Sequence, residues 1–288
     1  MPEAPEQQPL PAQASDGHRW DLLSSVPSQP RAALLWLPAL GVAARHYAAL
    51  ASALAAHGIA VFVHEWRGHG SSSLRAGRRS NWAYHELLTL DLASSRDALT
   101  SAVPASVPVV LGGHSLGGQL AACRLALAPG DASALWLVAS GSPYWRAFPP
   151  PQRRLLPLAY RALPWLADRC GALPGRRIGF GGREARGVMR DWSRSALEGR
   201  YAAAGLDIDL EHALARVEAD VTGIVFEHDW LAPASSLQAL LEKMPAAHAR
   251  IARIDDRALG TRSDHFGWMK QPSAVARLLA ESLPAAPR

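Results

Sequence analysis

The sequence predicts an α/β protein with a mostly parallel central sheet flanked by helices. Strand-type apolar runs alternate with helix-type runs along most of the 288 residues. The strand-type runs are continuously apolar rather than alternating in polarity, which is typical of parallel strands covered on both faces. One of them leads through a glycine-rich turn directly into a helix. Ligands of such sheets bind beyond the carboxyl ends of the strands, so the candidate site is sought there.

The individual elements follow from local patterns. Strands are predicted at residues 33–37, 59–64, 107–111, 133–139, 221–227 and 249–254, and a weak edge strand or hairpin arm within residues 18–28. Helices are predicted at residues 43–57, 82–99, 115–127, 233–243 and 272–283. Gly58 directly follows the first of these helices, and a glycine at this position is a common helix stop.

The strand–helix alternation is interrupted once. Residues 142–215 contain no strong strand run, several clustered prolines, and twelve arginines against seven acidic residues. We predict that residues 142–215 form a helical lid insertion between the sixth and seventh strands, with residues 18–141 and 216–288 forming the core domain. The alternative is a solvated helical appendage. Residues 1–17 are rich in Pro, Gln, Ala and Glu, which predicts a disordered leader.

Three arginines of the insertion share one helix face. Arg186, Arg190 and Arg194 recur every four residues. Turned toward the site, this face would favour acidic or phosphorylated substrates, whereas turned outward it is only solvated. Charges on a helix are ordinarily solvated, so we expect the outward orientation.

Composition excludes several functional classes. The net charge is only +5 and is not arranged as a basic stripe with interleaved aromatics, so no nucleic-acid binding is predicted. No apolar run reaches the roughly 18 residues needed to span a bilayer, and the N-terminus has no signal-peptide pattern, so a cytoplasmic location is expected. Cys123 and Cys170 are predicted to be free thiols, with no metal site and no cofactor.

The strand-to-helix turn carries the motif Gly113-His114-Ser115-Leu116-Gly117. A serine at such a corner is held in strained backbone geometry with its hydroxyl beyond the sheet edge. The flanking glycines remove the Cβ atoms that would clash in so sharp a turn. We predict that Ser115 is a nucleophile. Leu116 opens the helix, so its unpaired N–H is a predicted oxyanion donor.

A nucleophilic serine needs a general base, for which eleven histidines are available. His265 lies between the last short strand and the final helix, on the edge where Ser115 is expected. His114 is adjacent to Ser115 and is expected to line the site or to pack beside it. His69 is a plausible pocket wall, and His228 precedes the candidate acid. We therefore predict His265 as the base.

The acid that orients the base is predicted to be Asp229, which directly follows the strand at residues 221–227. The same residue precedes a helix and is therefore also a candidate N-cap, and the two roles are compatible. Asp264, beside His265, is the main rival, while Asp207 and Asp209 are more distant alternatives.

The second oxyanion donor is expected in the loop after the strand at residues 33–37, which neighbours the serine strand. We predict the N–H of Leu40, with that of Ala39 as the alternative. The predicted substrate-pocket residues are Ala39, His114, Tyr144, Trp145, Trp192 and Trp230. The aromatic residues of the insertion, with Phe148, would form an apolar acyl pocket or simply the insertion's own small core.

These features together resemble the α/β-hydrolase fold over roughly residues 30–285. The chain order Ser115, Asp229, His265 is similar to the family's nucleophile–acid–histidine order, and Asp229 is followed by Pro233 as in the family's acid turn. The loop at residues 67–72, Arg-Gly-His-Gly-Ser-Ser, resembles that of monoacylglycerol lipase-like and serine-aminopeptidase-like members. The departure is at Pro38-Ala39, where many members carry His-Gly.

The predicted function is therefore that of a serine hydrolase. It would cleave an ester, thioester or amide of a small-molecule substrate through Ser115, His265 and Asp229 and an acyl-enzyme, without a cofactor. An acyltransferase using the same residues and a non-catalytic binding protein of the same fold are the alternatives. The resemblance implies the reaction class but not the substrate or the oligomeric state.

Overall fold

The computed structural model describes residues 6–283, and within them one large sheet forms the centre of the molecule. Its eight strands are β1 (Gln8–Gln13), β2 (Arg19–Ser25), β3 (Ala32–Leu37), β4 (Ile59–Val63), β5 (Val109–His114), β6 (Ala134–Val138), β9 (Asp220–Phe226) and β10 (His248–Ile254). Two further strands, β7 (Leu173–Pro174) and β8 (Arg183–Glu184), pair with each other in a small separate ladder.

The strand order in the large sheet is β1-β2-β4-β3-β5-β6-β9-β10. The first two strands are antiparallel to their neighbours, and the strands from β4 to β10 run parallel. This confirms the predicted mostly parallel sheet. The predicted strands from residue 33 onward match the observed ones to within three residues at each end.

Eleven α-helices lie in the described residues. They are α1 (Ala48–Ala55), α2 (Tyr84–Glu86), α3 (Leu92–Ala102), α4 (Leu116–Leu127), α5 (Gln152–Cys170), α6 (Gly175–Ile178), α7 (Arg186–Glu198), α8 (Leu210–Leu214), α9 (Ala234–Leu241), α10 (Asp256–Leu259) and α11 (Ser273–Glu281). A π-helical stretch, Leu87–Asp91, joins α2 to α3. Short 3-10 helices lie at Ala44–Tyr47, Pro129–Asp131, Trp145–Ala147 and Gly267–Lys270.

Both faces of the central strands β3 to β6 are buried, as their apolar runs predict, whereas the edge strand β10 is largely exposed. Along β3 the side chains of Leu35 and Leu37 enter one apolar cluster, and those of Leu34 and Trp36 enter the other. The first cluster also contains residues of α3, α4 and α9, and the second contains residues of α1 and α11. Parallel strands covered on both sides are therefore apolar at every position.

The strand–helix alternation is interrupted at the place in the chain where the helical insertion was predicted. Helices α5 to α8 and the β7–β8 ladder all fall between β6 and β9, the sixth and seventh strands of the large sheet. No helix among residues 6–283 is long and apolar enough to cross a bilayer.

The predicted disordered leader is wrong for residues 8–13, which form β1 in antiparallel pairing with β2. Pro9 and Pro11 suggested disorder because proline cannot donate to a sheet ladder. They lie two positions apart, so their missing N–H groups point to the same side of the strand, and at the sheet edge that side has no neighbouring strand. Residues 1–5 lie outside the described part of the chain.

Candidate active site

The predicted nucleophile lies at the junction of β5 and α4 in a strained conformation. Ser115 has φ 55° and ψ −120°, a region that L residues other than glycine rarely adopt. A Cβ at Gly113 would lie 2.3 Å from the backbone of Gly117, and one at Gly117 would lie 2.0 Å from the Leu37 carbonyl oxygen. Both glycines of the motif are therefore required by close backbone approach, as the sequence predicted.

The predicted base and acid are in direct contact. His265 Nδ1 lies 2.8 Å from Asp229 Oδ2, and both residues are buried. Asp229 Oδ1 also accepts the backbone N–H groups of Leu231 and Ala232, at 2.9 and 3.0 Å. The carboxylate is thus held by its own loop. It does not cap the following helix as the sequence suggested, because α9 begins at Ala234 and Pro233 occupies its N-cap position. The indole N–H of Trp268 donates to the His265 carbonyl oxygen at 3.1 Å and fixes the backbone on the other side.

The rival residues lie elsewhere. Asp264 accepts the N–H groups of Phe266 and Gly267 and stands 3.3 Å from Arg262, so it is engaged within its own turn. Asp209 caps α8. His228 is exposed and lies 3.3 Å from Asp256.

Ser115 and His265 line the same cavity, together with Leu40 and Leu116. Within the described residues His265 has a hydrogen bond to Asp229 and none to the Ser115 hydroxyl. Catalytic hydrogen bonds are often long or poorly aligned in the absence of substrate, and they tighten in the complex. The side chains predicted for nucleophile, base and acid are therefore assembled around one cavity.

The loop after β3 contributes a backbone donor to this cavity. Ala39 donates its N–H to the Tyr47 hydroxyl at 2.9 Å, and it is therefore occupied. Leu40 N–H has no acceptor among the described residues, and neither has the N–H of Leu116 at the start of α4. The geometry thus favours Leu40 over Ala39 as the second predicted oxyanion donor.

Tyr47 also contacts the residue before the nucleophile. Its hydroxyl lies 2.9 Å from His114 Nδ1, and the Tyr47 side chain is almost completely buried. Both contacts are satisfied when Tyr47 accepts the Ala39 N–H and donates its own proton to His114 Nδ1, which requires the Nε2-protonated tautomer of His114. A single hydroxyl therefore joins the loop after β3 (residues 38–41) to the serine turn.

His114 was predicted as a pocket residue, and this prediction is wrong. Its fully buried ring points away from the cavity, against Tyr47, Trp268 and His265, with ring centroids 6.0, 5.2 and 4.8 Å away. Burial holds the pKa of His114 well below its usual range, so the imidazole is neutral. Successive residues of a strand point to opposite faces, which explains why the neighbour of Ser115 does not share its cavity.

The loop after β3 has a second support from the insertion. A Cβ at Gly41 would lie 2.3 Å from the backbone nitrogen of Gly182, so the loop and the β7–β8 region touch backbone to backbone. Gly182 donates its N–H to the buried carboxyl group of Glu184 at 2.6 Å. On the core side, Trp66 donates its indole N–H to the Pro38 carbonyl oxygen at 2.9 Å. These contacts hold the loop in place from both sides.

Glu184 faces His69 at 3.3 Å in a buried setting. Burial raises the pKa of Glu184 to about 7 and lowers the pKa of His69 to about 4. Between these values both groups are uncharged, so the contact is not an ion pair. His69 was considered as a pocket wall, but it does not line the cavity.

The cavity has a volume of about 450 Å³ and an apolar lining. Among residues 6–283, no Asp, Glu, Lys or Arg side chain lines it, and His265 contributes its only imidazole. Much of the wall belongs to the insertion: Phe148, Leu156, Ala159, Tyr160, Leu163, Ile178, Phe180 and Trp192. Ala39, Trp192 and Trp230 line it as predicted.

Tyr144 and Trp145 were predicted to line the pocket, and they do not. The ring of Tyr144 packs over Gly199, where an added Cβ would lie 3.0 Å from it. The indole N–H of Trp145 donates to the Leu197 carbonyl oxygen at 3.2 Å, and the guanidinium of Arg146 lies 4.9 Å from its ring. Both aromatic residues fasten the start of the insertion to the end of α7.

Sequence reasoning missed three polar residues that line the cavity, Gln119, Tyr160 and Ser236. Gln119 lies one helical turn after Ser115 on α4, is nearly buried, and its Oε1 has no hydrogen-bond partner among the described residues. Residues four apart on a helix share a face, so its position relative to Ser115 was a usable signal. The apolar residues of α5 carried no such signal, because the side of α5 that faces the cavity depends on how the insertion packs on the core domain.

The insertion arginines face away from the cavity, as expected. None of Arg186, Arg190 and Arg194 lines it. Arg190 is exposed and pairs with Asp168 at 2.8 Å, and Arg194 pairs with Asp191 at 2.7 Å. The basic face therefore does not select anionic substrates in this cavity.

The sheet order, the strained serine turn and the position of the cavity beyond the strand ends define the class of the protein as an α/β hydrolase. The profile of the family Hydrolase_4, described as "Serine aminopeptidase, S33", matches residues 28–192, more than half of the chain. The protein belongs to this family. No curated protein matches the sequence.

Solved structures share the fold. Rv0554 from Mycobacterium tuberculosis aligns with a TM-score of 0.64 at 16% identity, over 96% of this chain and 100% of that one. A hydrolase from Pseudomonas aeruginosa PA01 aligns with 0.60 at 21% identity, over 97% and 99%. The esterase domain of a Rhodothermus marinus protein aligns with 0.62 at 15% identity, over 96% and 97%. At such identities the similarity concerns the fold alone.

Proposed function

We propose that the protein is a serine hydrolase that cleaves carboxylic esters with an uncharged acyl chain. The observation that carries the proposal is the convergence of four groups on one cavity. These are the Ser115 hydroxyl, the His265 imidazole held by Asp229 at 2.8 Å, and the unengaged N–H groups of Leu40 and Leu116.

In the proposed mechanism His265 Nε2 takes the proton of Ser115 Oγ while that oxygen attacks the carbonyl carbon. His265 keeps its Nδ1–H on Asp229, which stabilises the imidazolium. The carbonyl oxygen becomes an oxyanion between the N–H groups of Leu40 and Leu116. The leaving alcohol departs with the proton from His265, and a water molecule then releases the acid from the acyl-enzyme by the same steps.

The cavity lining supports an acyl chain as the part of the substrate that is bound. An uncharged apolar wall is unfavourable for a carboxylate or an ammonium group, which would lose its hydration without a partner. A volume of about 450 Å³ lies within the usual range of ligand pockets. Gln119 lines the cavity, and its amide oxygen, which has no hydrogen-bond partner among the described residues, is available to a polar group of the substrate.

Labelling with a fluorophosphonate probe tests the nucleophile. We expect one adduct by intact mass in the wild type and none in Ser115→Ala. Ser236 lines the same cavity, so Ser236→Ala is the matched control and should still be labelled. Labelling of Ser115→Ala at the wild-type rate would disprove the assignment.

Turnover of p-nitrophenyl esters tests the reaction. Asp229→Asn is expected to lower kcat by about 10³- to 10⁴-fold, because it removes the carboxylate that selects the histidine tautomer. Release of free acid, with little transfer to an added alcohol, identifies hydrolysis. Predominant transfer to the alcohol would instead indicate an acyltransferase.

A further inference from the structure

An exposed apolar stripe runs along the outer side of α5. Leu155, Leu158 and Trp165 have 63, 67 and 60% of their surface exposed. With the exposed Ala162 they follow one another at spacings of three, four and three residues, so they lie on one side of the helix. The opposite side of the same helix is occupied, because Leu156, Tyr160 and Leu163 line the cavity. Three large apolar side chains on one exposed stripe are unusual for a surface helix.

Arginines alternate with this stripe. Arg154, Leu158, Arg161, Trp165 and Arg169 succeed one another at spacings of four, three, four and four residues. The guanidinium of Arg169 lies 5.5 Å from the Trp165 ring. Asp168, the one acidic residue of α5, is already paired with Arg190. The outer face of α5 (Arg154, Leu155, Leu158, Arg161, Trp165 and Arg169) is thus both apolar and positively charged.

The mouth of the cavity has exposed apolar residues of its own. Ile178, Trp230 and Phe266 line the cavity and have 45, 58 and 47% of their surface exposed. Ala159, on α5 itself, is also exposed and also lines the cavity. The cavity opening is therefore bordered by the helix that carries the outer face. These four residues make the rim of the cavity apolar.

We propose that the outer face of α5 docks on an anionic lipid surface. The alternation of Leu and Trp with Arg matches such a surface, because the apolar side chains enter the acyl boundary while the guanidinium groups remain among the phosphates. Trp is suited to this boundary, since its ring is apolar and its N–H is polar. A convex helix offers no groove for a peptide, so the observations favour a lipid surface over a protein partner.

Docking in this way would place the apolar rim of the cavity close to the lipid. An ester with an acyl chain could then pass from the surface to Ser115 with less of its chain exposed to water. Only this consequence rests on the proposed function. The binding itself depends on the outer face and not on the chemistry of Ser115, so the two proposals can fail separately.

Co-sedimentation of the full chain with lipid vesicles tests the proposal, in a Ser115→Ala background so that the lipids stay intact. We expect binding to phosphatidylcholine vesicles containing about 30% phosphatidylglycerol, and much weaker binding to phosphatidylcholine alone. Raising the salt from about 0.05 to about 0.5 M should weaken the binding. Leu158→Glu should lower the partition coefficient about tenfold or more, because it places a carboxylate in the acyl boundary.

Ile251→Glu is the matched control, because Ile251 is an exposed isoleucine on the edge strand β10, outside the insertion. It should bind as the parent protein does. Unfolding midpoints within experimental error of the parent would show that both variants fold. The proposal is overturned if the parent does not bind the anionic vesicles, or if Leu158→Glu binds as well as Ile251→Glu. A dimer that Leu158→Glu dissociates, without vesicle binding, would assign the face to a second copy of this chain.

Discussion

Replacing Tyr47 by phenylalanine removes one hydroxyl group that holds two parts of the site. The ring is retained, so its packing against Trp36 and Trp268 at centroid distances of 5.9 and 6.4 Å is preserved. The Ala39 N–H and His114 Nδ1 each lose their partner, and both are buried. The variant therefore isolates the hydrogen bonds from the packing.

The expected loss of stability follows from these two groups. An unsatisfied buried polar group costs about 1–3 kcal/mol, so the free energy of unfolding should fall by about 2–6 kcal/mol. Tyr84 provides the control, since it is fully buried and its hydroxyl has no partner among the described residues. Tyr84→Phe should leave the free energy of unfolding unchanged or raise it slightly. Urea unfolding of the three proteins measures both effects.

The expected loss of activity follows from the position of Leu40. Removing one oxyanion donor outright lowers kcat about 10²- to 10³-fold. Tyr47→Phe leaves the Leu40 N–H present but removes the hydrogen bond that holds the preceding Ala39 N–H. The Leu40 N–H is then less well positioned, so kcat should fall about tenfold to a hundredfold. KM should change little, because Tyr47 does not line the cavity.

Steady-state turnover of a soluble ester gives this kcat-against-KM comparison. A destabilised Tyr47→Phe protein with wild-type kcat would show that the loop position does not matter to the reaction, and Leu40 would then be the wrong donor.

Two further predictions concern the insertion. Leu163→Trp adds volume inside the cavity, so kcat/KM for acyl chains that no longer fit should fall about fourfold per methylene, given about 0.8 kcal/mol per buried methylene. Assays across a p-nitrophenyl ester series measure this, with the exposed neighbour Ala162→Trp as control, and an unchanged chain-length profile in Leu163→Trp would refute it. Burial raises the pKa of Glu184 from 4.5 to about 7, so the stability contributed by its protonated form is fully present below pH 4.5 and is lost as the pH rises through about 7. At 1.36 kcal/mol per pKa unit, the unfolding free energy of Glu184→Gln relative to wild type should rise by about 3 kcal/mol from pH 4.5 to pH 8. The glutamine can still accept the Gly182 N–H. A difference in unfolding free energy between the variant and the wild type that does not vary with pH would contradict the raised pKa of Glu184.

Much of the fold could be predicted because its signals are local. The central parallel strands β3 and β4 are continuous apolar runs, and the glycines of the serine turn mark a place where two backbone segments come into contact. The assembly of Ser115, Asp229 and His265 also followed from topology, since all three come after strands whose carboxyl ends share one edge. The family match and the sheet order confirm the fold, while the roles of these three residues remain predictions.

The errors occurred where local signals conflict with tertiary context. Pro9 and Pro11 indicate disorder locally, but an edge strand accommodates them because their missing N–H groups face no neighbouring strand. Tyr144 and Trp145 are aromatic residues of the insertion, yet aromatic character does not reveal the direction of a side chain. Their partners, Gly199 and Leu197, lie more than fifty residues further along the chain.

The serine turn and its neighbours were determined by the sequence alone, because strained backbone, glycine and helix start are properties of adjacent residues. The tertiary structure decided how the loop after β3 is held and which side chains line the cavity. Tyr47 reaches Ala39 and His114, and Gly41 touches Gly182, through contacts between distant segments. The direction in which each side of α5 faces depends on packing across the insertion, which no short stretch of sequence encodes.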